Sequence, residues 1–398
     1  MQGNSDFNIL PSVDLHVTNK NPECLKESTI APVKNGDRIL VLLLSGIGDA
    51  LMFTPSLDII KQTYPDTHID ILTMFRGIAD IFSSNPNITM VHHWDFLKES
   101  PLRTIQFLKS LGKNYSHTIT AFPANRWHYA VVARAIGSRF RIGHTYLHDS
   151  LSQLNMLNNV RIKENDALHN CEENLRIASL LGCSIPNTIP GMSIHLTKDD
   201  LSFSDQWMMH HNLHEKPVLG IHAGSAIVKN QINKRWSPEY YAQVCAEAHA
   251  QLGLTTLLFG GPEEMGLNQS IVEKIQEKQS DAKPIIVETP TLTKSIALMK
   301  QCSAFISNDS GLMHCAAALQ LPMIAIFGYT SHVHTAPWMN PKAKVARRDL
   351  ACSPCFYFSP KPASCKYQGT DKEFTCIRDI QPDDIFRSLK HLIEHYKV

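Results

Sequence analysis

The chain of 398 residues reads as an α/β protein of two Rossmann-like, doubly wound domains facing across a cleft. Two patterns lead there. Ile39–Leu44 is a run of six apolar residues, followed by Ser45, Gly46, Ile47, Gly48 and Asp49. Such a run fits a strand buried on both faces of a parallel sheet, here turning through glycines into a helix. The same strand–loop–helix alternation restarts at Val218–His222, after a polar stretch at 197–217. The length agrees, since a chain of this size outgrows one ordinary core.

Taken in order, residues 1–37 are polar and aperiodic and are expected to form an extension or loose arm. Residues 38–197 then form the first domain. Thr54-Pro55 marks a helix start or a kink in a helix begun near Asp49, with Leu57, Ile60 and Tyr64 at helical spacing. Strands are expected at Ile69–Thr73 and His117–Ala121. The polar stretch from Thr197 to Pro217 reads as the linker. Residues 217–380 form the second domain. Its strands are Val218–His222, Leu254–Phe259, Ala304–Ser307 and Pro322–Phe327, and Ser237-Pro238 caps a helix between the first two. Residues 381–398 end in a helix with Ile385, Leu389, Leu392 and Ile393 on one face, expected to pack back across the domain junction.

Composition removes several classes of function. With 43% hydrophobic and 19% charged residues the chain is globular, and a net charge of +1 argues against a general nucleic-acid binder. No run approaches the ~18 apolar residues of a membrane span. Met1–Asn8 lacks the basic and apolar regions of a signal peptide, so the protein is expected in the cytoplasm with reduced thiols. Of ten cysteines, Cys24, Cys171, Cys183, Cys245, Cys302 and Cys315 are scattered and expected in cores.

Four local patterns carry chemistry. Gly46 and Gly48 lack the third glycine of a dinucleotide loop, and Asp49 would repel a pyrophosphate there, which argues against NAD. Asp49 either caps its own helix or serves as a general base in the cleft. In the second domain, Gly224 and Ser225 end a strand, and Lys234 with Arg235 could neutralise a diphosphate. Asp309, Ser310 and Gly311 open a helix whose amides favour an anion. His314, one turn on, has a packing role as its commoner alternative, and Glu263 either holds ribose hydroxyls or favours a helix start. Arg126, Arg134, Arg139 and Arg141 lie in a stretch, 126–148, without a carboxylate. They suit an anionic acceptor or an anionic membrane surface, or else pair with acids elsewhere. Cys352, Cys355, Cys365 and Cys376 offer thiolates for a structural zinc or iron, at uneven spacing.

Together these segments resemble glycosyltransferase family 9, the lipopolysaccharide heptosyltransferases. The matching stretches are Ser45–Leu57, Arg126–Gly143, His222–Ser225 with Lys234–Glu239, and Asn308–Ala318 through Phe327–Thr330; the cysteine pattern also resembles many members. The resemblance implies a GT-B fold and inverting transfer from ADP-L-glycero-D-manno-heptose, with no metal needed for catalysis. It implies Asp49 as the base that deprotonates the acceptor, Lys234 at the donor phosphates, Glu263 near the nucleoside and Asp309–Gly311 at the donor-binding helix start. The implied acceptor is the inner-core Kdo or heptose of lipid A, reached at the cytoplasmic face of the inner membrane. The N-terminal arm, Ser310 in place of threonine and Tyr329 in place of proline depart from the pattern. A protein O-heptosyltransferase, a GT-B-type nucleotide-sugar epimerase and a non-catalytic nucleotide-sugar-binding protein are the alternatives.

Overall fold

A computed structural model of the chain describes residues 7–11, 30–112, 114–356 and 363–396. These fall into two compact units: 30–195, and 196–356 with 7–11 and 363–396. The first strand, β1, is Phe7–Pro11.

The first unit carries β2 (Arg38–Leu43), β3 (His68–Thr73), β4 (Met90–His93), β5 (His117–Thr120), β6 (Phe140–Thr145) and β7 (Val160–Lys163). All pair in parallel, in the order β4-β3-β2-β5-β6-β7. The chain therefore leaves β2 in one direction along the sheet and resumes at β5 in the other, so the loops after β2 and β5 meet at the switch point. Ile39–Leu43 is buried throughout, which is why its sequence shows no polar alternation. The two readings of Thr54-Pro55 merge: helix Ile47–Leu51 ends, and helix Thr54–Thr63 starts at once. Thr54 Oγ1 donates to the Leu51 carbonyl at 2.7 Å, and Pro55 occupies the first turn, where its missing N–H costs nothing.

The second unit carries β8 (Val218–His222), β9 (Thr255–Leu258), β10 (Ile285–Ile286), β11 (Ala304–Asn308), β12 (Met323–Phe327) and β13 (Ala343–Arg348). The order is β1-β13-β12-β11-β8-β9-β10, parallel from β8 to β13, with its switch point between β8 and β11. Every residue of β8, β11 and β12 is buried. Each of their large apolar side chains gains about 1.5–3 kcal/mol over exposure.

Three expectations about organisation change. The segment 1–37 is not wholly outside the fold: Phe7–Pro11 pairs antiparallel with β13, from Phe7 opposite Arg348 to Pro11 opposite Lys344. Further on, Ala31 is buried and its N–H donates to the Leu180 carbonyl at 2.8 Å. Residues 1–6 and 12–29, with Cys24, lie outside the described residues. The stretch read as linker contains helix Lys198–His210, because Thr197 and Asp200 form a capping box, and Asp200 also accepts from Thr293 Oγ1 at 2.8 Å. The C-terminal helix, Pro382–Tyr396, buries Ile385, Phe386, Leu389 and Leu392 in the core of its own unit, against helix Pro238–Leu252 and β12. That face, expected to pack back across the domain junction, packs within its own unit, with Ile393 partly buried against the same core.

Candidate functional site

In the first unit the loop after β2 places Gly46 as N-cap and Asp49 at the third position of helix Ile47–Leu51. The Gly46 N–H donates to Asp49 Oδ2 at 3.1 Å, so the carboxylate caps its own helix and is held in one orientation. Ser45 Oγ donates to the Pro123 carbonyl at 2.8 Å, and Tyr129 O–H to the Leu44 carbonyl at 3.2 Å, tying this loop to the one after β5. That second loop is itself fixed by buried Asn174, which accepts from the Phe122 N–H at 2.9 Å and donates back to the Phe122 carbonyl at 3.1 Å. The Tyr129 phenol is raised above its ordinary value, chiefly by burial, with the Asp49 charge adding and the Arg126 charge opposing. Both charges therefore act at one ring.

The other three arginines are not brought there. Helix Trp127–Ile136 carries Arg134 eight residues from Arg126, about 12 Å along the axis. Arg139 and Arg141 flank the start of β6, the amino edge of the sheet, opposite to the carboxyl edge where Asp49 lies. Arg141 is moreover bound to carbonyls: its Nε donates to Leu157 at 3.0 Å and its Nη1 to Ser138 at 2.8 Å. Of the four arginines expected in one acceptor patch, only Arg126 acts at the Tyr129 ring together with Asp49.

In the second unit the loops after β8 and β11 are joined by Asn308, which is fully buried with four partners. Its Oδ1 accepts from the Trp236 N–H and the Tyr241 O–H, both at 3.0 Å, and its Nδ2 donates to the carbonyls of Ala223 at 2.8 Å and Gly224 at 3.3 Å. On this frame Lys234 Nζ meets Asp309 Oδ2 at 3.0 Å. Burial pushes the Asp309 carboxyl up, but the Lys234 ammonium and its hydrogen bond hold it below the usual carboxylate range. Ser310 is the N-cap of helix Gly311–Ala318, accepting from the Met313 N–H at 3.4 Å. The first-turn amides of that helix have no helical acceptor, which makes its start attractive to an anion.

Behind this helix start lies a buried relay that the motif reading missed. His222 Nε2 is 3.1 Å from Glu264 Oε2, and its Nδ1 is 2.9 Å from Ser310 Oγ. In the neutral ring, Nε2–H donates to the carboxylate and Nδ1 accepts from the serine hydroxyl. Glu264 also faces Arg235 at 3.5 Å and accepts from the Gly261 N–H at 3.1 Å. Burial raises its carboxyl, and the hydrogen bonds from His222 and Gly261 with the Arg235 charge bring it below the ordinary value. Glu264 is thus buried within this relay, whereas its neighbour Glu263 is exposed. The signal was present: Gly261 and Glu264 have capping-box spacing. Gly224 exists for this carboxylate, since a Cβ there would sit 1.7 Å from Glu264 Oε1.

Three other assigned residues have structural partners of their own. Arg235 donates from Nη2 to the Ser225 carbonyl at 2.8 Å and from Nε to Ser225 Oγ at 3.2 Å, so both residues build the loop. His314 is buried within helix Gly311–Ala318; burial lowers it to about 4, with the Asp309 charge opposing and the Lys234 charge adding.

Cys352, Cys355, Cys365 and Cys376 line one cavity with Tyr329, Lys366, Lys372 and Phe374. Burial pushes the Cys376 thiol up to about 12, and the neighbouring thiols add to the shift. Among the described residues no three His, Cys, Asp or Glu side chains are gathered closely enough to hold a metal ion. Tyr329 connects this cavity to the Lys234 loop: its hydroxyl donates to the Asn230 carbonyl at 3.3 Å, and its own carbonyl accepts from the Cys355 N–H at 3.0 Å.

Comparison with known proteins agrees with this architecture. Residues 104–362 match the family model described as glycosyltransferase family 9 (heptosyltransferase). A lipooligosaccharide heptosyltransferase 2 of Campylobacter jejuni is 32% identical over 183 residues, a match that spans 45% of this chain and about half, 52%, of that relative. Among solved structures, a family 9 glycosyltransferase from Veillonella parvula superposes with a TM-score of 0.70 at 20% identity, covering 92% of this chain and 100% of that one. The ADP-heptose LPS heptosyltransferase II of E. coli gives 0.68 at 22% identity, over 91% and 100%. At these identities the structural likeness shows the fold, which is GT-B. The chain belongs to glycosyltransferase family 9.

Proposed function

We propose that the chain is an inverting heptosyltransferase, moving heptose from ADP-L-glycero-D-manno-heptose to the inner-core Kdo or heptose of lipopolysaccharide at the cytoplasmic face of the inner membrane. The observation that carries this reading is the Lys234–Asp309 pair beside the helix start at Ser310 and Gly311, on the switch point of the second unit. A cation fixed by a carboxylate, next to unpaired helix amides, suits a diphosphate. No helix among the described residues is long and apolar enough to cross a membrane.

In this mechanism Asp49 accepts the proton of the acceptor hydroxyl as its oxygen attacks the anomeric carbon. The bond from that carbon to the diphosphate oxygen breaks on the opposite face, and ADP leaves with the bonding pair. Lys234 and the amides at Gly311 and Leu312 stabilise the charge that develops on the diphosphate. Asp309 orients Lys234, and the Glu264–His222–Ser310 relay orients the helix start. Arg126 contributes positive charge for an anionic acceptor.

The cysteine cavity has the soft donors that zinc or iron prefers, without the spacing of a closed site among the described residues, and no step of transfer passes through it. Metal analysis of the purified protein tests that separately: about one zinc or iron per chain supports a structural site, and none removes it. For the reaction itself, Asp49→Ala should lower turnover by roughly 10²–10⁴-fold with ADP affinity unchanged. Turnover at the parent level in that variant would remove Asp49 from the chemistry.

A further inference from the structure

From Ser100 to His148 the sequence holds seven Lys or Arg and no Asp or Glu, in a protein whose net charge is +1. Much of that stretch folds into helices Pro101–Gly112 and Trp127–Ile136, which pack side by side in the first unit. They approach so closely at their ends that a Cβ on Gly112 would meet the Ile136 carbonyl oxygen at 1.7 Å. Their inner sides share a core through Leu108, Leu111, Val132, Ala133 and Ile136.

Their outer sides expose large apolar groups beside polar ones such as Gln106 and Ser110. Leu102 is 75% exposed, Trp127 54% and Ile105 46%, and Leu97 in the turn before the first helix is 84% exposed. Among them stand Arg103, Lys109 and Arg134. Two acids lie just ahead of the run, and each meets a cation: Asp95 with Lys98 at 3.2 Å, and Glu99 with Arg103 at 2.8 Å. A solvated helix face would carry charges of both signs and few large apolar groups. Leucine, isoleucine and tryptophan interleaved with lysine and arginine are instead the composition of a helix lying in a bilayer interface.

We propose that the outer faces of these two helices dock the first unit on an anionic phospholipid surface, with Leu97, Leu102, Ile105 and Trp127 entering the headgroup region and Arg103, Lys109 and Arg134 engaging lipid phosphates. An RNA or an acidic protein would satisfy the charge but leave the leucines in water. The proposal deepens the membrane location offered above while resting on a surface separate from Asp49 and the donor loops.

The test is flotation of the full-length protein with phosphatidylglycerol-containing vesicles and with pure phosphatidylcholine vesicles, in the absence of donor and acceptor. The protein should float with the anionic vesicles only, and less at high salt. Leu102→Ser with Ile105→Ser should reduce the bound fraction about tenfold or more, and Arg103→Gln with Lys109→Gln should reduce it by a similar factor. Heptosyl transfer to a water-soluble, deacylated acceptor should be unchanged in both variants. Absence of flotation, flotation with both vesicle types alike, or undiminished binding by both variants would overturn the proposal. Vesicle binding without heptosyl transfer would overturn only the enzymatic reading.

Discussion

His314 offers a quantitative check on how the donor-side helix is built. The ring is buried, its Nδ1 has no hydrogen-bond partner, and burial lowers its pKa from 6.5 to about 4. Asp309 and Lys234 act on it in opposite directions, so removal from water dominates. The folded protein therefore resists protonating this histidine, whereas the unfolded chain accepts the proton near pH 6.5. Its contribution to stability is complete above pH 6.5 and is lost as pH falls towards 4, because the unfolded state binds the extra proton. Linkage gives a loss of about 2 kcal/mol by pH 5 and about 3 kcal/mol by pH 4. His314→Leu puts an apolar side chain of similar size in its place and removes the titration. Urea unfolding of both proteins between pH 7.5 and 4 should show the variant gaining on the parent as the medium becomes acidic, by about those amounts. Carboxylates held below their usual range, such as Asp309 and Glu264, affect both proteins and act mainly at lower pH. Parallel pH profiles would refute the reasoning, since they would mean that the folded protein protonates His314 as readily as the unfolded chain.

Two further substitutions test the geometry around the donor loops. Lys234→Met leaves Asp309 buried without its cation, which should cost roughly 3–5 kcal/mol of stability. It should also lower kcat/KM by about 10²-fold or more. Adding Asp309→Asn should restore much of the stability, measured by urea unfolding, but not the ADP affinity, measured by calorimetry. Gly224→Ala forces a methyl group to within 1.7 Å of Glu264 Oε1. It should destabilise by about 1–3 kcal/mol and weaken ADP binding, and Glu264→Ala in the same chain should relieve part of the strain.

Several elements were legible because one physical force dominates them. β2, β8, β11 and β12 are buried on both faces, so an apolar run marks each, and the Gly46–Asp49 and Asn308–Gly311 loops follow from where those runs stop. β6 was hidden because it carries Arg141 and His144, whose partners lie far along the chain: His144 Nε2 lies 2.8 Å from Glu173 Oε2, a residue 29 positions away. β13 was hidden by its lysine and arginines, and β1 by the proline and the polar context of the arm that supplies it. The arginine stretch 126–148 reads as one patch only along the chain. A helix and a strand start separate its members to opposite edges of the sheet. Glu264 was not singled out from the sequence, although its place three residues after Gly261 lets its carboxylate accept from the Gly261 N–H. No local pattern foretold the link from Tyr329 to the Lys234 loop, because its partner Asn230 lies 99 residues away.

The reaction itself is tested most directly by mass spectrometry of acceptors incubated with the protein and ADP-L-glycero-D-manno-heptose, without added divalent cation. Kdo-lipid A or heptosyl-Kdo-lipid A should gain the mass of one heptose, with one ADP released per transfer. Heptose appearing on a polypeptide instead, conversion of the donor with no acceptor present, or donor binding with no product on any acceptor would contradict the assignment.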